Sequence, residues 1–207
     1  MRIDAWLSFF SSHPEKRLFS FTDLQNLVGE TAGSLSVQLS RMTTSGIIRR
    51  PAKGWYENPF SPPTTEEVAM VLRYPSYLSL EYALSAHGIL SQAVQTLTLV
   101  TVKLPYTVRT HGAIYEYHQI RKSLFWGYTT HDRVNMADPE KAFLDFLYIR
   151  LIHGRGDSRS PHDVTNDLRL EGLDINRLRQ YATVFGPTMM KALSQLRRPE
   201  IEKTTGK

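Results

Sequence analysis

The sequence predicts an α+β chain in two parts: a small, mainly helical N-terminal domain, then a mixed α/β domain built on an antiparallel-leaning sheet with C-terminal helices. Three observations predict it. Helical spacing recurs three times before residue 46 and gives way to a short basic hairpin pattern; β-branched and aromatic runs fill residues 96 to 137; and three prolines in Asn58-Pro59-Phe60-Ser61-Pro62-Pro63 forbid a helix between the two regions. The boundary falls at that break, giving domains 1–60 and 61–207.

Within the first domain, Ile3, Trp6, Leu7 and Phe10 form an apolar stripe on a first helix that ends near Ser11-Ser12-His13-Pro14. Thr22 is a good N-cap for a second helix, Asp23 to Val28, which Gly29 stops. Gly33 or Ser34 opens a third that runs through Ser45. At 100° per residue Leu35, Leu39 and Met42 lie within about 60° of one another and face the core, leaving Ser34, Val37, Ser40, Arg41 and Thr44 on the opposite face with Gln38 at its margin. Gly46 ends this helix. Ile47 to Arg50 then reads as a strand, Pro51 to Gly54 as a tight turn and Trp55 to Glu57 as a returning strand. Helix, turn, helix and basic hairpin together are a winged helix-turn-helix pattern. Its small polar third-helix face suits a DNA groove, and Arg49, Arg50 and Lys53 at the hairpin suit phosphates or a minor groove. The bland alternative is a solvated basic turn on a helical interaction domain.

In the second domain Ser79 is placed to cap a helix from Leu80 to His87, with Gly88 after it. Strands follow at Thr96 to Val102, Tyr106 to Thr110, Ile114 to His118, Leu124 to Thr129 and Val134 to Ala137. Asp138-Pro139-Glu140 is a strong helix start, with Asp as N-cap and Pro at the first helical position. The helix extends to about Ile152 and is apolar on most sides, so it is buried. Residues 153 to 161 read as a mobile loop, shorter helices as 161–170, 176–185 and 187–196, and the tail after Pro199 as frayed.

The 207 residues contain no cysteine, which removes disulfides, thiolate nucleophiles and Cys-ligated metals. The N-terminus lacks a signal peptide's long apolar region and no apolar stretch approaches 18 residues, so the sequence predicts a cytoplasmic protein with no membrane partner. The formal charge is +5. Residues 1 to 60 carry 7 basic and 5 acidic groups, 61 to 150 carry 8 and 8, and 151 to 207 carry 10 and 7, so both ends are mildly basic and the middle is neutral.

Three phrases, in order along the chain, resemble the AbiEi antitoxin family of type IV toxin-antitoxin and abortive infection (phage resistance) systems. The first is Ser45-Gly46-Ile47-Ile48-Arg49-Arg50 with Lys53-Gly54-Trp55-Tyr56-Glu57-Asn58-Pro59. The second is Tyr77-Leu78-Ser79-Leu80-Glu81-Tyr82-Ala83-Leu84-Ser85-Ala86-His87-Gly88-Ile89. The third is Val134-Asn135-Met136-Ala137-Asp138-Pro139-Glu140-Lys141-Ala142-Phe143-Leu144-Asp145. The resemblance implies a winged-helix repressor that binds inverted repeats in its own promoter. It also implies an antitoxin domain that counteracts a nucleotidyltransferase-like toxin without a stable complex. The chain lacks the very basic C-terminal tail of longer relatives.

Rival chemistries are weaker. His111, His118 and His131 near Glu116 and Asp132 fit no metal-ligand spacing, and scattered surface histidines explain them. Asp138, Glu140, Lys141 and Asp145 imitate a nuclease set, but capping accounts for the first two and an i, i+4 pair for Lys141 with Asp145. Asp145, if buried, needs a hydrogen-bonding partner. Gly154-Arg155-Gly156-Asp157-Ser158 matches a cell-adhesion peptide by chance. No cofactor motif is present, so the reading is a binding protein rather than an enzyme. A winged-helix-targeted nucleic-acid-processing enzyme and a protein-interaction adaptor are the alternatives, and the oligomeric state is open.

Overall fold

Aromatic spacing organises the N-terminal unit. On α1 (Ile3–Ser11) Trp6 and Phe10 are buried with rings 5.7 Å apart, and Phe10 meets Phe19 edge-on at 5.4 Å. The computed structural model describes residues 1–110, 112–152 and 160–196, which divide after Leu72 into two units. In the first, α1 is followed by β1 (Leu18–Ser20), α2 (Phe21–Val28), α3 (Ala32–Thr44), β2 (Trp55–Glu57) and α4 (Thr65–Leu72). Leu24, Leu35, Leu39, Met42, Ile48 and Tyr56 complete its core.

Several local expectations change here. The cap of α2 is Ser20, not Thr22: Ser20 Oγ accepts from Asp23 N and Asp23 Oδ2 accepts from Ser20 N, a reciprocal box that leaves Thr22 inside the helix. Thr31 rather than Gly33 or Ser34 caps α3, accepting from Ser34 N at 3.4 Å. Residues 47 to 50 are not a strand. Gly46, at φ 70°, closes α3 through Gly46 N to Thr43 O (3.1 Å) and Ile47 N to Met42 O (2.9 Å), which commits Ile47 to the helix end while Ile48 is buried. The partner of β2 is β1, antiparallel, with Phe19 opposite Tyr56; a single backbone bond, Glu57 N to Arg49 O, joins β2 to the 47–50 limb. The predicted turn is present, closed by Trp55 N to Ala52 O.

The proline-rich stretch is fastened at its first residue. Asn58 is fully buried, its amide donating to the carbonyls of Phe10, His13 and Lys16 at 2.9 to 3.2 Å while its oxygen accepts from Phe60 N. Beyond it, Thr64 and Glu67 exchange side-chain-to-backbone bonds that start α4, a helix the sequence reading did not contain. The predicted boundary at residue 60 and the division after Leu72 differ by this helix.

From Arg73 onward a six-stranded sheet has the order β5-β6-β4-β3-β8-β7, formed by β3 (Ser76–Leu78), β4 (Thr96–Thr101), β5 (Tyr106–Thr110), β6 (Ala113–Gln119), β7 (Tyr128–His131) and β8 (Val134–Ala137). The sheet is mixed: β3–β4, β5–β6 and β7–β8 are antiparallel, β3–β8 and β4–β6 parallel. The strand β3 was missed, being only three residues long. The predicted strand 124–129 is a 3-10 turn, Lys122–Leu124, followed by β7, because Leu124 turns into the core and Gly127 takes φ 73°.

Helix α5 (Leu80–Ala86) packs on β4 and on α6 (Pro139–Leu147), and α6 continues as a π-helical turn over Tyr148–Ile152 instead of one α-helix to 152. Next come α7 (Pro161–Thr165), shorter than predicted and followed by a 3-10 turn at Leu170–Gly172, then α8 (Ile175–Phe185) and α9 (Pro187–Gln195). Tyr77, Leu84, Val100, Phe143, Leu147, Leu178 and Met189 belong to one core. Among the described residues no helix is long and apolar enough to cross a membrane. The predicted mobile loop, its Arg155-Gly156-Asp157 and the tail after Pro199 lie outside the described residues, the loop's last two positions excepted.

Candidate nucleic-acid interface

Burying Leu35, Leu39 and Met42 turns Val37, Ser40, Arg41 and Thr44 outward, so these four form an exposed ridge along α3, with Val37 half-exposed despite its apolar side chain. A cleft opens on each side of the ridge. One, of about 380 Å3, is lined by Ser36, Ser40, Thr43 and Thr44 of α3 and by Arg50 and Lys53 of the loop before β2. The other, of about 450 Å3, has Gln38, Arg41 and Ser45 on the α3 side, Arg2 and Asp4 on the α1 side, and Trp6, Met42 and Ile47 beneath.

The loop is held in place. Phe21 N donates to Gly54 O at 2.7 Å, and the Arg50 guanidinium lies 5.8 Å from the Tyr56 ring centre. Neither Arg41, Arg49, Arg50 nor Lys53 has an acidic partner among the described residues, whereas Lys16 pairs with Asp23 and Arg17 with Glu67. Four exposed cations of this unit thus have no acidic partner among the described residues.

Of the nine residues the sequence assigned to DNA, Val37, Ser40, Arg41, Thr44, Arg50 and Lys53 line the ridge or its clefts, and Arg49 is exposed beside them. Ser34 and Gln38 are otherwise engaged. Trp6 Nε1 donates to Gln38 Oε1 at 2.8 Å, as does the Met1 amino group at 2.6 Å; Gln38 Nε2 donates to Ser34 Oγ, and Ser34 Oγ donates to Glu30 Oε2. An indole N–H only donates, so it fixes the orientation of the Gln38 amide. Trp6, on the apolar stripe of the first helix in the sequence reading, thereby also fastens α1 to α3, a role that its spacing alone did not signal.

In the second unit the imitation nuclease set splits into two pairs, Asp138 and Glu140 at the Arg177 guanidinium and Lys141 with Asp145. Asp138 stands at the N-cap of α6 but makes no cap bond; its carboxylate accepts instead from Arg177 Nη2 (2.6 Å) and Tyr181 Oη (3.3 Å), because a guanidinium is the stronger partner. Glu140 accepts from Asp174 N. Lys141 and Asp145 are both fully buried and bonded to each other, and Asp145 also accepts from Tyr77 Oη (2.8 Å) and Ser79 Oγ (2.9 Å). Burial raises the Asp145 carboxyl above the usual carboxylate range and lowers the Lys141 ammonium. Ser79 is consequently diverted from capping α5, and Thr98 Oγ1 of β4 accepts from Tyr82 N in its place.

The histidines do not converge. His118 Nε2 lies 3.8 Å from Glu116 Oε2, the exposed His131 pairs with Asp132, and His111 is outside the described residues. Burial, then the Arg150 guanidinium, holds the His118 imidazole below its ordinary value. Among the described residues no three His, Asp or Glu side chains are grouped to hold a metal ion.

Compared with protein-family models and with curated protein sequences, the chain matches none.

Proposed function

We propose that the chain is a transcriptional regulator that binds double-stranded DNA through its N-terminal unit and serves as the antitoxin of a type IV toxin-antitoxin operon. In this reading the unit is a winged helix-turn-helix. Helix α3 enters the major groove, and the loop 49–54 with β1 and β2 forms the wing against the phosphate backbone. The observation that carries it is the exposed α3 ridge, which carries Arg41, together with Arg49, Arg50 and Lys53 of the loop before β2, none of which has an acidic partner among the described residues. Such cations suit a polyanion. The antitoxin half rests on the three sequence phrases, and the site acts by binding rather than catalysis.

The test is retardation of DNA from upstream of the protein's own gene, against scrambled DNA, at two salt concentrations. Arg41→Ala lowers affinity for the duplex. Arg49→Ala with Arg50→Ala weakens all DNA about uniformly and reduces the salt slope by about 1 per lost phosphate contact. Absence of retardation above the scrambled control by the wild type sinks the regulator.

A further inference from the structure

A helix seated in a major groove about 12 Å wide has a sugar-phosphate backbone on each side of it. The loop cations Arg50 and Lys53 serve only one of those sides, because both line the cleft bounded by Ser36, Ser40, Thr43 and Thr44. Across the ridge, the second cleft holds Arg41 on one wall and Arg2 on the other. The two walls come from α3 and from the residues that lead into α1.

We propose that this second cleft is a phosphodiester-binding site of the DNA interface, in which Arg2 and Arg41 together hold the backbone on the side of α3 opposite the wing loop. The proposal rests on the DNA-binding reading and adds Arg2, whose position the third-helix and hairpin pattern does not predict. Arg2 is exposed and makes no side-chain hydrogen bond or ion pair among the described residues, so its charge is available. Its N–H and C=O geometry is already set, because Arg2 is the extended N-cap residue of α1 and its carbonyl accepts from Trp6 N at 3.2 Å.

The architecture makes the placement firm. Trp6 is 1% exposed, and its indole bond to Gln38 ties the first turn of α1 to the middle of α3. The two arginines are therefore carried by elements packed on one core. Asp4, on the same rim, is the one carboxylate lining the cleft and opposes a phosphate there. It supplies a control of opposite sign: removing its charge strengthens binding if a phosphate enters.

The experiment is equilibrium binding of the full chain to the duplex from upstream of its own gene, between 50 and 200 mM salt, for wild type, Arg2→Ala and Asp4→Asn. One lost phosphate contact reduces the steepness of the fall of log affinity with log salt by about 0.9, so the affinity lost over this fourfold salt range shrinks about 3.5-fold in Arg2→Ala. Asp4→Asn binds more tightly than wild type at 50 mM salt. Specific binding by wild type with an unchanged slope in Arg2→Ala overturns the second cleft while leaving the regulator standing. Failure of wild type to bind the duplex better than scrambled DNA overturns both.

Discussion

Asp145 shows how one residue joins two of the sequence phrases. Its carboxylate accepts from Tyr77 and Ser79 of the second phrase and from Lys141 of its own, and all four side chains are buried. The rings of Tyr77, Trp126 and Phe185 surround the Lys141 ammonium at 5.2 to 5.3 Å. Gly127 lies so close that a β-carbon there would come within 2.9 Å of Lys141 Cγ. Breaking such a pair strands a buried charge, so Asp145→Ala should lose about 3–5 kcal/mol in urea unfolding. The joint change Lys141→Met with Asp145→Leu should recover most of that loss, since it removes both charges. Equal losses in the single and double variants would mean that packing, not the orphaned ammonium, sets the cost. The need for a partner at Asp145 was legible from an acid in an apolar helix. Tyr77 and Ser79 were not, because a contact between residues 66 and 68 positions apart leaves no periodic trace.

At the scale of elements, periodic segments were readable and short or diverted ones were not. Helices α1 and α3 follow their apolar stripes, α6 starts where Asp138-Pro139 predicts it, and β5 and β8 lie where β-branched and aromatic runs predict them. The three-residue strands β1 and β3 have no room for alternation, and the 47–50 limb carries strand-forming residues that the α3 terminus consumes. In the candidate interface the ridge was readable for the same reason as α3, whereas the engagement of Ser34 and Gln38 depends on Trp6 and Glu30, outside the helix. Asn58 illustrates the remaining limit. Beside prolines it reads as a linker residue, yet it fastens three carbonyls that follow α1 or end it. Asn58→Asp replaces the two N–H donors of one amide nitrogen with a single carboxylate oxygen facing those carbonyls. A loss of at least about 3 kcal/mol in unfolding free energy is expected, against about 2 for Asn58→Ala. Identical losses would show that the carboxylate escapes to solvent.

For the whole molecule, the charge arithmetic and the two units give the proposed activities different physical bases. The cations without acidic partners at the candidate interface belong to the first unit, while residues 61 to 150, which span the sheet and α6, balance 8 basic against 8 acidic groups. Promoter binding by counterion release draws on the former; any action against a toxin that resides in the second unit does not need them. The variant Arg41→Ala, Arg50→Ala, Lys53→Ala removes three charges, each from an exposed side chain without an acidic partner among the described residues, so its unfolding free energy should fall by no more than the roughly 0.5–1 kcal/mol of the Arg50–Tyr56 contact. It should also lose promoter retardation at physiological salt and derepress a reporter placed behind that promoter. Co-expressed with the toxin that the proposed function requires, from a heterologous promoter at matched protein level, it should still restore growth as fully as wild type. Growth rescue that falls in step with DNA binding would instead tie neutralisation to the first unit, and the assignment of the antitoxin role to the sheet-bearing unit would be withdrawn.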